Sequence, residues 1–199
     1  MASFNSGTGI DFVRGCTIDF DPKTGLSEMI DTGKRYLSQM RGMYADDGAF
    51  EAAVNQADAL VYEFHTLPMP EQAGDLSFGS SIVKPGKVGD EYYMTKGHFH
   101  TMIDTAEVYY CMSGHGYMMM ENADGDWLAE ELLPGHATYV PRGYGHRSIN
   151  VDPEQDLVTF FVYPADAGHD YGTIETKGFR KLLVERNGVP TIIDNPKWV

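Results

Sequence analysis

The stretch GHFHTMIDTAEVYYCMSGHGY, residues 97–117, decides how this chain is to be read. It sets His98 and His100 one residue apart, Glu107 seven positions after His100, and Gly114 at the turn that follows. In an extended strand, residues i and i+2 leave the same face roughly 6.6 Å apart. Both imidazoles of an HxH therefore point one way, and a single ion accepts both. The chain then turns through TMIDTA, and Glu107 opens EVYY, from which its carboxylate can return to the ion from a neighbouring strand. A lone HxH is commonly two histidines at the margin of a core. The glutamate and a further donor make it one edge of a metal site.

The further donor comes from His65, His115, His136, His146 or His169. His146 lies in GHATYVPRGYGHRSIN, residues 135–150, where Pro141 and Gly143 bracket a tight turn immediately before a histidine that opens the next strand. Three neutral imidazoles and one carboxylate suit a first-row divalent ion such as Fe, Mn, Ni or Zn with two positions left open. Two open positions fit a vicinal diol or hydroxy-carbonyl, and equally dioxygen plus substrate, so the donors alone do not choose the reaction.

Outward from this stretch the chain is punctuated throughout. From residue 59 it runs as ALVYEFHTL, LSFGSSIVKPG, EYYMTKGHFH, EVYYCM, GYMMMEN, WLAEELLPG, HATYVPRG, HRSINV and LVTFFVYP, short apolar segments divided by Gly, Pro and Asn. Such spacing predicts a mainly β sandwich or barrel over 59–199. Asn187-Gly188, between two apolar runs near the end, signals a hairpin. Residues 1–58 are expected to form an irregular arm and short helices packed on that barrel. KRYLSQMRGMY, 34–44, places Tyr36, Leu37, Met40, Met43 and Tyr44 near one helical face, and a second short helix is expected after Asp46-Asp47. Met118-Met119-Met120 reads as alternating core and surface positions of a strand, and Cys111 as a small packed residue rather than a nucleophile.

At 199 residues the chain suits a single domain. Its 22 glycines, 12 tyrosines and 10 phenylalanines lean towards strands and tight turns. Fifteen Lys and Arg against 29 Asp and Glu leave a net charge of −14, which argues against nucleic acid and anionic membranes as partners. An anionic substrate needs local donors to offset that field. Two cysteines are too few for a disulfide scaffold, and no apolar run approaches ~18 residues, so a cytoplasmic protein is expected.

Two further clusters bear on the substrate. Thr95, Lys96 and Gly97 precede the first histidine pair, with Ser80 and Ser81 shortly upstream, and together they offer the hydroxyl, ammonium and N–H donors that a phosphate needs. YPADAGHDYG, 163–172, follows an apolar strand and carries His169 beside Asp170, a pairing suited to moving protons or opening a sugar ring.

The two histidine segments resemble the paired motifs of the cupin superfamily. Residues 135–150 fit Gly-x5-Pro-x-Gly-x2-His-x3-Asn at every fixed position, whereas the six residues between His100 and Glu107 exceed the general cupin spacing of three or four. YMTKGHFH, EVYY, YVPRGYGHRSIN and YPADAGHDYG together resemble the cupin-type glucose-6-phosphate isomerases of archaea and some bacteria, from about residue 76 to the end and more weakly before it. The resemblance implies a double-stranded β-helix, or jelly-roll, barrel. It also implies an ion held by His98, His100, Glu107 and His146, with one divalent ion per subunit, Fe2+ placed first and Mn2+, Ni2+ or Zn2+ as alternatives. Phosphate contacts follow from Ser81, Thr95, Gly97 and Tyr109, with Lys96 in addition. Tyr163 and His169 line the sugar. Glu107 is the candidate to carry the proton between C1 and C2, with a metal-assisted hydride shift as the alternative. A homodimer acting on a sugar phosphate is implied, with residues 1–20 as a candidate exchanged arm. A cupin Fe(II) dioxygenase and a non-catalytic, metal-dependent sugar- or effector-binding cupin use the same four donors but leave YMTKG and PADAGHDYG without a role.

Overall fold

Short apolar runs closed by glycine, proline or asparagine are too brief for a stable helix, and their backbone groups find partners across a sheet instead. The computed structural model describes residues 15–198. In chain order its strands are β1 (Thr32–Tyr36), β2 (Leu60–Thr66), β3 (Leu76–Val83), β4 (Lys87–Val88), β5 (Glu91–Tyr92), β6 (Glu107–Ser113) and β7 (Gly116–Asn122). They continue as β8 (Trp127–Leu132), β9 (Ala137–Val140), β10 (Tyr144–Asn150), β11 (Leu157–Pro164), β12 (Lys181–Arg186) and β13 (Val189–Asp194). One antiparallel sheet has the order β1-β2-β3-β11-β6-β9, and a second the order β10-β7-β8. The fold is mainly β. Buried side chains from both sheets, among them Val83, Tyr109, Cys111 and Leu157 from the first and Met118, Leu132 and Ile149 from the second, share one core. This is a double-stranded β-helix, or jelly-roll, barrel, as the sequence resemblance implies. A smaller sheet, β13-β12-β5-β4, stands beside it. Among the described residues no helix is long and apolar enough to cross a membrane.

Several segments depart from the sequence reading. Lys34–Tyr36 belong to a strand, not a helix, because β2 offers a full ladder of partners, with Lys34 opposite Glu63 and Arg35 opposite Tyr62. Only Leu37–Met40 coil, as a 3-10 turn, and Gly42 at φ +83° ends the local run. Leu37, Met40, Met43 and Tyr44 are nevertheless buried. The edge strand β1 thus carries the first sheet into the segment before residue 59. Helix α1 (Asp47–Gln56) starts as expected, its N-cap Asp46 accepting from the Ala49 N–H. In EYYMTKGHFH only Glu91–Tyr92 form a regular strand; Gly97 at φ +74° bends the chain, which touches β10 through single bridges at Met94 before the bend and His98 after it. Met118, Met119 and Met120 are all at most 1% exposed, so both faces of β7 are covered and no alternation survives. Asn187 and Gly188 both take positive φ and close the β12–β13 hairpin. Residues 1–14 of the expected arm lie outside the described residues.

Charges are buried behind the 95–97 segment. Arg147, on β10, donates Nη2 to the Lys96 carbonyl at 2.9 Å and lies 4.1 Å from the centre of the Phe179 ring. Burial pulls its pKa down to about 10, opposed by Glu91 and Glu121, so it stays charged at neutral pH. Burial likewise pushes the Glu91 carboxyl up to about 7, against the Ala45 N–H, Arg147 and Lys197. A carboxyl raised in the native state binds its proton more tightly there than when unfolded. Its stabilisation is complete below the ordinary value of 4.5 and is lost as pH rises through about 7. A shift of this size is on the order of 3 kcal/mol. The unfolding free energy of Glu91→Gln, measured relative to wild type by urea denaturation, is therefore expected to improve as pH rises from about 5 to 8. A difference that stays constant over that range would refute this assignment.

Candidate metal centre

Three chain segments meet at one point. His98 and His146 are joined by a pair of backbone hydrogen bonds, His98 N–H to the His146 carbonyl at 3.2 Å and His146 N–H to the His98 carbonyl at 3.0 Å. Glu107 begins β6 opposite Val140, the last residue of β9 before the Pro141–Gly143 turn into β10. His100 follows His98 by two. The result is a cluster in which one donor atom from each of His98, His100, Glu107 and His146 lies within 4.8 Å of every other. The imidazole centroids are 4.6 Å apart for His98–His146, 5.4 Å for His100–His146 and 5.5 Å for His98–His100.

This donor set fits a cation. The Thr105 carbonyl accepts from His100 Nδ1 at 3.2 Å, an assignment that leaves the lone pair on Nε2, which faces Glu107 Oε2 at 3.1 Å. His146 Nε2 stands 2.9 Å from the same oxygen without the alignment of a hydrogen bond, and the buried Nε2 atoms of His98 and His146 have no hydrogen-bond partner. Lone pairs converging on a carboxylate repel unless a positive charge lies among them. Protons are poorly suited: burial, then His146 and His169, hold the His98 pKa well below its ordinary value. Burial alone would raise Glu107, but His146 and His100 outweigh it and hold this carboxyl far below its usual range. A divalent ion satisfies all four groups.

A cavity of about 340 Å³ opens onto this cluster and is also lined by Ser81, Thr95, Lys96, Gly97, Tyr109, Tyr163 and His169. All the residues expected to hold ion, phosphate and sugar except His100 therefore border one space, and the His100 ring stacks on Tyr163, a lining residue, at 6.3 Å. Ser81 carries a buried hydroxyl with no partner. Thr95 Oγ1 accepts from the Ser148 N–H at 3.1 Å, which leaves its own hydrogen for a ligand. A Cβ at Gly97 would meet the His146 carbonyl at 2.9 Å, so only glycine lets this segment lie against β10. Lys96 is less free than the sequence suggests, since Nζ is 3.1 Å from Glu175 Oε1 in the short helix α2 (Gly172–Lys177). Tyr109 turns towards the metal cluster: burial and then the Glu107 charge raise its phenol well above its ordinary value.

His169 packs 4.3 Å from His98 and 5.7 Å from Tyr163, ring centre to ring centre. Its loop is held by the backbone, with Phe99 and Asp170 exchanging N–H to carbonyl bonds of 2.9 and 2.8 Å. Asp170 thus positions His169 through the main chain. Burial is the first cause that lowers the His169 pKa, so the imidazole is neutral at pH 7 and able to accept a proton. Sequence reasoning missed Arg35, Tyr62, Phe64, Phe161 and Tyr171, which also line the cavity. The alternation of β2 carried the signal for Tyr62 and Phe64, which share a strand face.

A β-barrel on which three imidazoles and one carboxylate converge has the candidate metal centre that the cupin resemblance implies. The sequence model of the family described as Glucose-6-phosphate isomerase (GPI) matches residues 34–198, and the chain belongs to that family. It is similar to a glucose-6-phosphate isomerase of Thermococcus litoralis, 44% identical over 184 residues that span 92% of this chain and 95% of that protein. It is also similar to one of Pyrococcus furiosus, 42% identical over 186 residues, 92% of this chain and 96% of the other. Among solved structures, an oxalate oxidase in complex with the substrate analogue glycolate overlaps 50% of this chain and 47% of its own at a TM-score of 0.42 and 14% identity, too partial an overlap to bear on activity.

Replacing His146 with Ala removes one of four donors while leaving the β10–β7 backbone ladder intact. Divalent-ion affinity measured by calorimetric titration is expected to fall by at least ~100-fold, beyond the loss typical of outer-shell changes. Wild-type affinity in the variant would exclude this cluster as the ion site.

Proposed function

We propose that the protein is a metal-dependent aldose–ketose isomerase that interconverts glucose 6-phosphate and fructose 6-phosphate. The observation that carries this reading is the sharing of one cavity by His98, Glu107 and His146 of the four-donor cluster and by Ser81, whose hydroxyl has no partner, Thr95 and Gly97. A dioxygenase needs the first and has no use for the second.

The reaction moves one hydrogen between C2 and C1 while the carbonyl moves the other way. His98, His100, Glu107 and His146 would hold a divalent ion, with Fe2+ placed before Mn2+, Ni2+ and Zn2+, and such an ion when bound would supply Lewis-acid polarisation of the substrate. Ser81, Thr95 and Gly97, with Lys96 at the edge, hold the phosphate and so fix the sugar chain along the cavity. Glu107 is the acidic side chain lining that cavity and is assigned the proton transfer. Its lowered pKa makes it a weak base while the imidazoles crowd it, so substrate entry must loosen those contacts before it accepts a proton. Neutral His169 and the phenol of Tyr163, raised by burial, are placed to take up and return hydroxyl protons during ring opening.

Purified protein is expected to convert fructose 6-phosphate to glucose 6-phosphate in a coupled assay, and Thr95→Val to raise KM by ~10-fold or more with a smaller effect on kcat, the size expected for a lost hydrogen bond to a charged group. An unaltered KM would remove Thr95 from the phosphate site.

Residues 59–199 are read as the body of the catalytic barrel, to which the earlier segment adds the edge strand β1 and helix α1, and the reaction as part of cytoplasmic sugar breakdown and synthesis. The outer face of the first sheet supports a homodimer. Val108 and Tyr139, paired across β6 and β9, are 41% and 61% exposed, and Tyr110 and Leu76 extend the apolar surface. Light scattering is expected to give a dimer mass, and Tyr139→Glu a shift towards monomer; a monomeric wild type would contradict this assignment.

A further inference from the structure

Arg35 lies in a part of the chain to which no substrate role attaches, yet strand register brings it to the cavity. It stands directly opposite Tyr62, and Phe64, two residues along the same face of β2, stands directly opposite Ser81 of β3. Residues opposed in an antiparallel pair share a face. Arg35, Tyr62, Phe64 and Ser81 thus form one continuous inward surface, and all four line the cavity. The guanidinium carbon is 5.3 Å from the centre of the Phe64 ring, the ring that neighbours Ser81.

The charge of Arg35 is uncommitted. Nη1 donates to the Lys34 carbonyl at 2.9 Å, and among the described residues no carboxylate pairs with it. Lys96, the other cation bordering the cavity, is compensated by Glu175. In a chain of net charge −14, a phosphate dianion requires a positive group that is not already neutralised. The field of Arg35 reaches the rest of this end of the cavity. After burial, it is the next influence on the Tyr62 phenol, pushed up to about 12, and on that of Tyr171.

We propose that Arg35 of the edge strand β1 is a binding residue for the substrate's phosphate and sets the preference for phosphorylated over neutral sugars. It rests on the isomerase reading for the identity of the phosphate ester. A guanidinium presents a planar fork of N–H donors that matches two phosphate oxygens, whereas a lysine offers only a point charge. The Phe64 ring beneath it limits the fork's freedom before ligand arrives.

Wild type, Arg35→Met, Arg35→Lys and Thr95→Val would be compared by fructose 6-phosphate kinetics and by binding of inorganic phosphate, with thermal unfolding and divalent-ion affinity as checks on the fold. Arg35→Met is expected to raise KM by at least ~10-fold, with a smaller change in kcat, and to weaken phosphate binding by a similar factor. Arg35→Lys is expected to recover part of both. Wild-type KM and phosphate affinity in a folded Arg35→Met, alongside an impaired Thr95→Val, would overturn the proposal. A wild type that binds phosphate but turns over no sugar phosphate would sink the isomerase reading instead, and weaker phosphate binding by Arg35→Met would still support this role for Arg35.

Discussion

The backbone bridge between His98 and His146 is the constraint on which the rest of the site depends. Two hydrogen bonds of 3.2 and 3.0 Å hold a bent, irregular segment against β10, and that contact fixes two ion donors relative to each other. Gly97, next to the bridge, makes the contact possible because no side chain fits between it and the His146 carbonyl. The residues on either side of the bend then have different tasks. Those before it present Thr95 and a glycine N–H to the cavity, and those after it present imidazoles. On the proposed function, the span between phosphate and reacting carbons is set by a few residues of main chain rather than by flexible side chains, the kind of support that precise positioning requires.

Electrostatics divides the site in the same way. At one end, three imidazoles surround a carboxylate, and the buried Nε2 atoms of His98 and His146 have no partner, a cation-attracting arrangement. Near the bend, Arg147 is buried behind the Lys96 carbonyl and Arg35 looks in from the edge strand. An acidic chain thus keeps its two kinds of charge apart around one cavity, which on the proposed function puts the positive groups at the phosphate end.

The part of this plan written in local spacing was legible in the sequence. His98 and His100 at i and i+2, Glu107 at the head of a strand, and the Gly-Pro-Gly-His-Asn spacing of residues 135–150 each express a short-range rule, and the four donors do converge. The Asn187-Gly188 hairpin was readable for the same reason. What escaped depends on partners distant in sequence. Lys34–Tyr36 open a segment whose Tyr36, Leu37, Met40, Met43 and Tyr44 fall near one helical face, but they lie against β2, whose edge outcompetes a helix too short to nucleate alone. The three buried methionines of β7 look like an alternating strand until both of its faces are covered. Arg35 and Tyr171 reach the cavity only through sheet register and the placement of α2, and the Lys96–Glu175 pair cannot be inferred from a TKG tripeptide. The Asp170 tether to Phe99 is a main-chain contact and leaves no trace in residue type.

The central claim is that the four-donor cluster holds an ion on which sugar-phosphate isomerisation depends. It is tested most directly by stripping the protein with a chelator and titrating back a single divalent ion under anaerobic conditions, while bound ion and fructose 6-phosphate turnover are followed together. The expected result is loss of activity on stripping and its linear return up to one ion per chain. Full activity in the ion-free protein, or a fully loaded protein that turns over nothing, would contradict it.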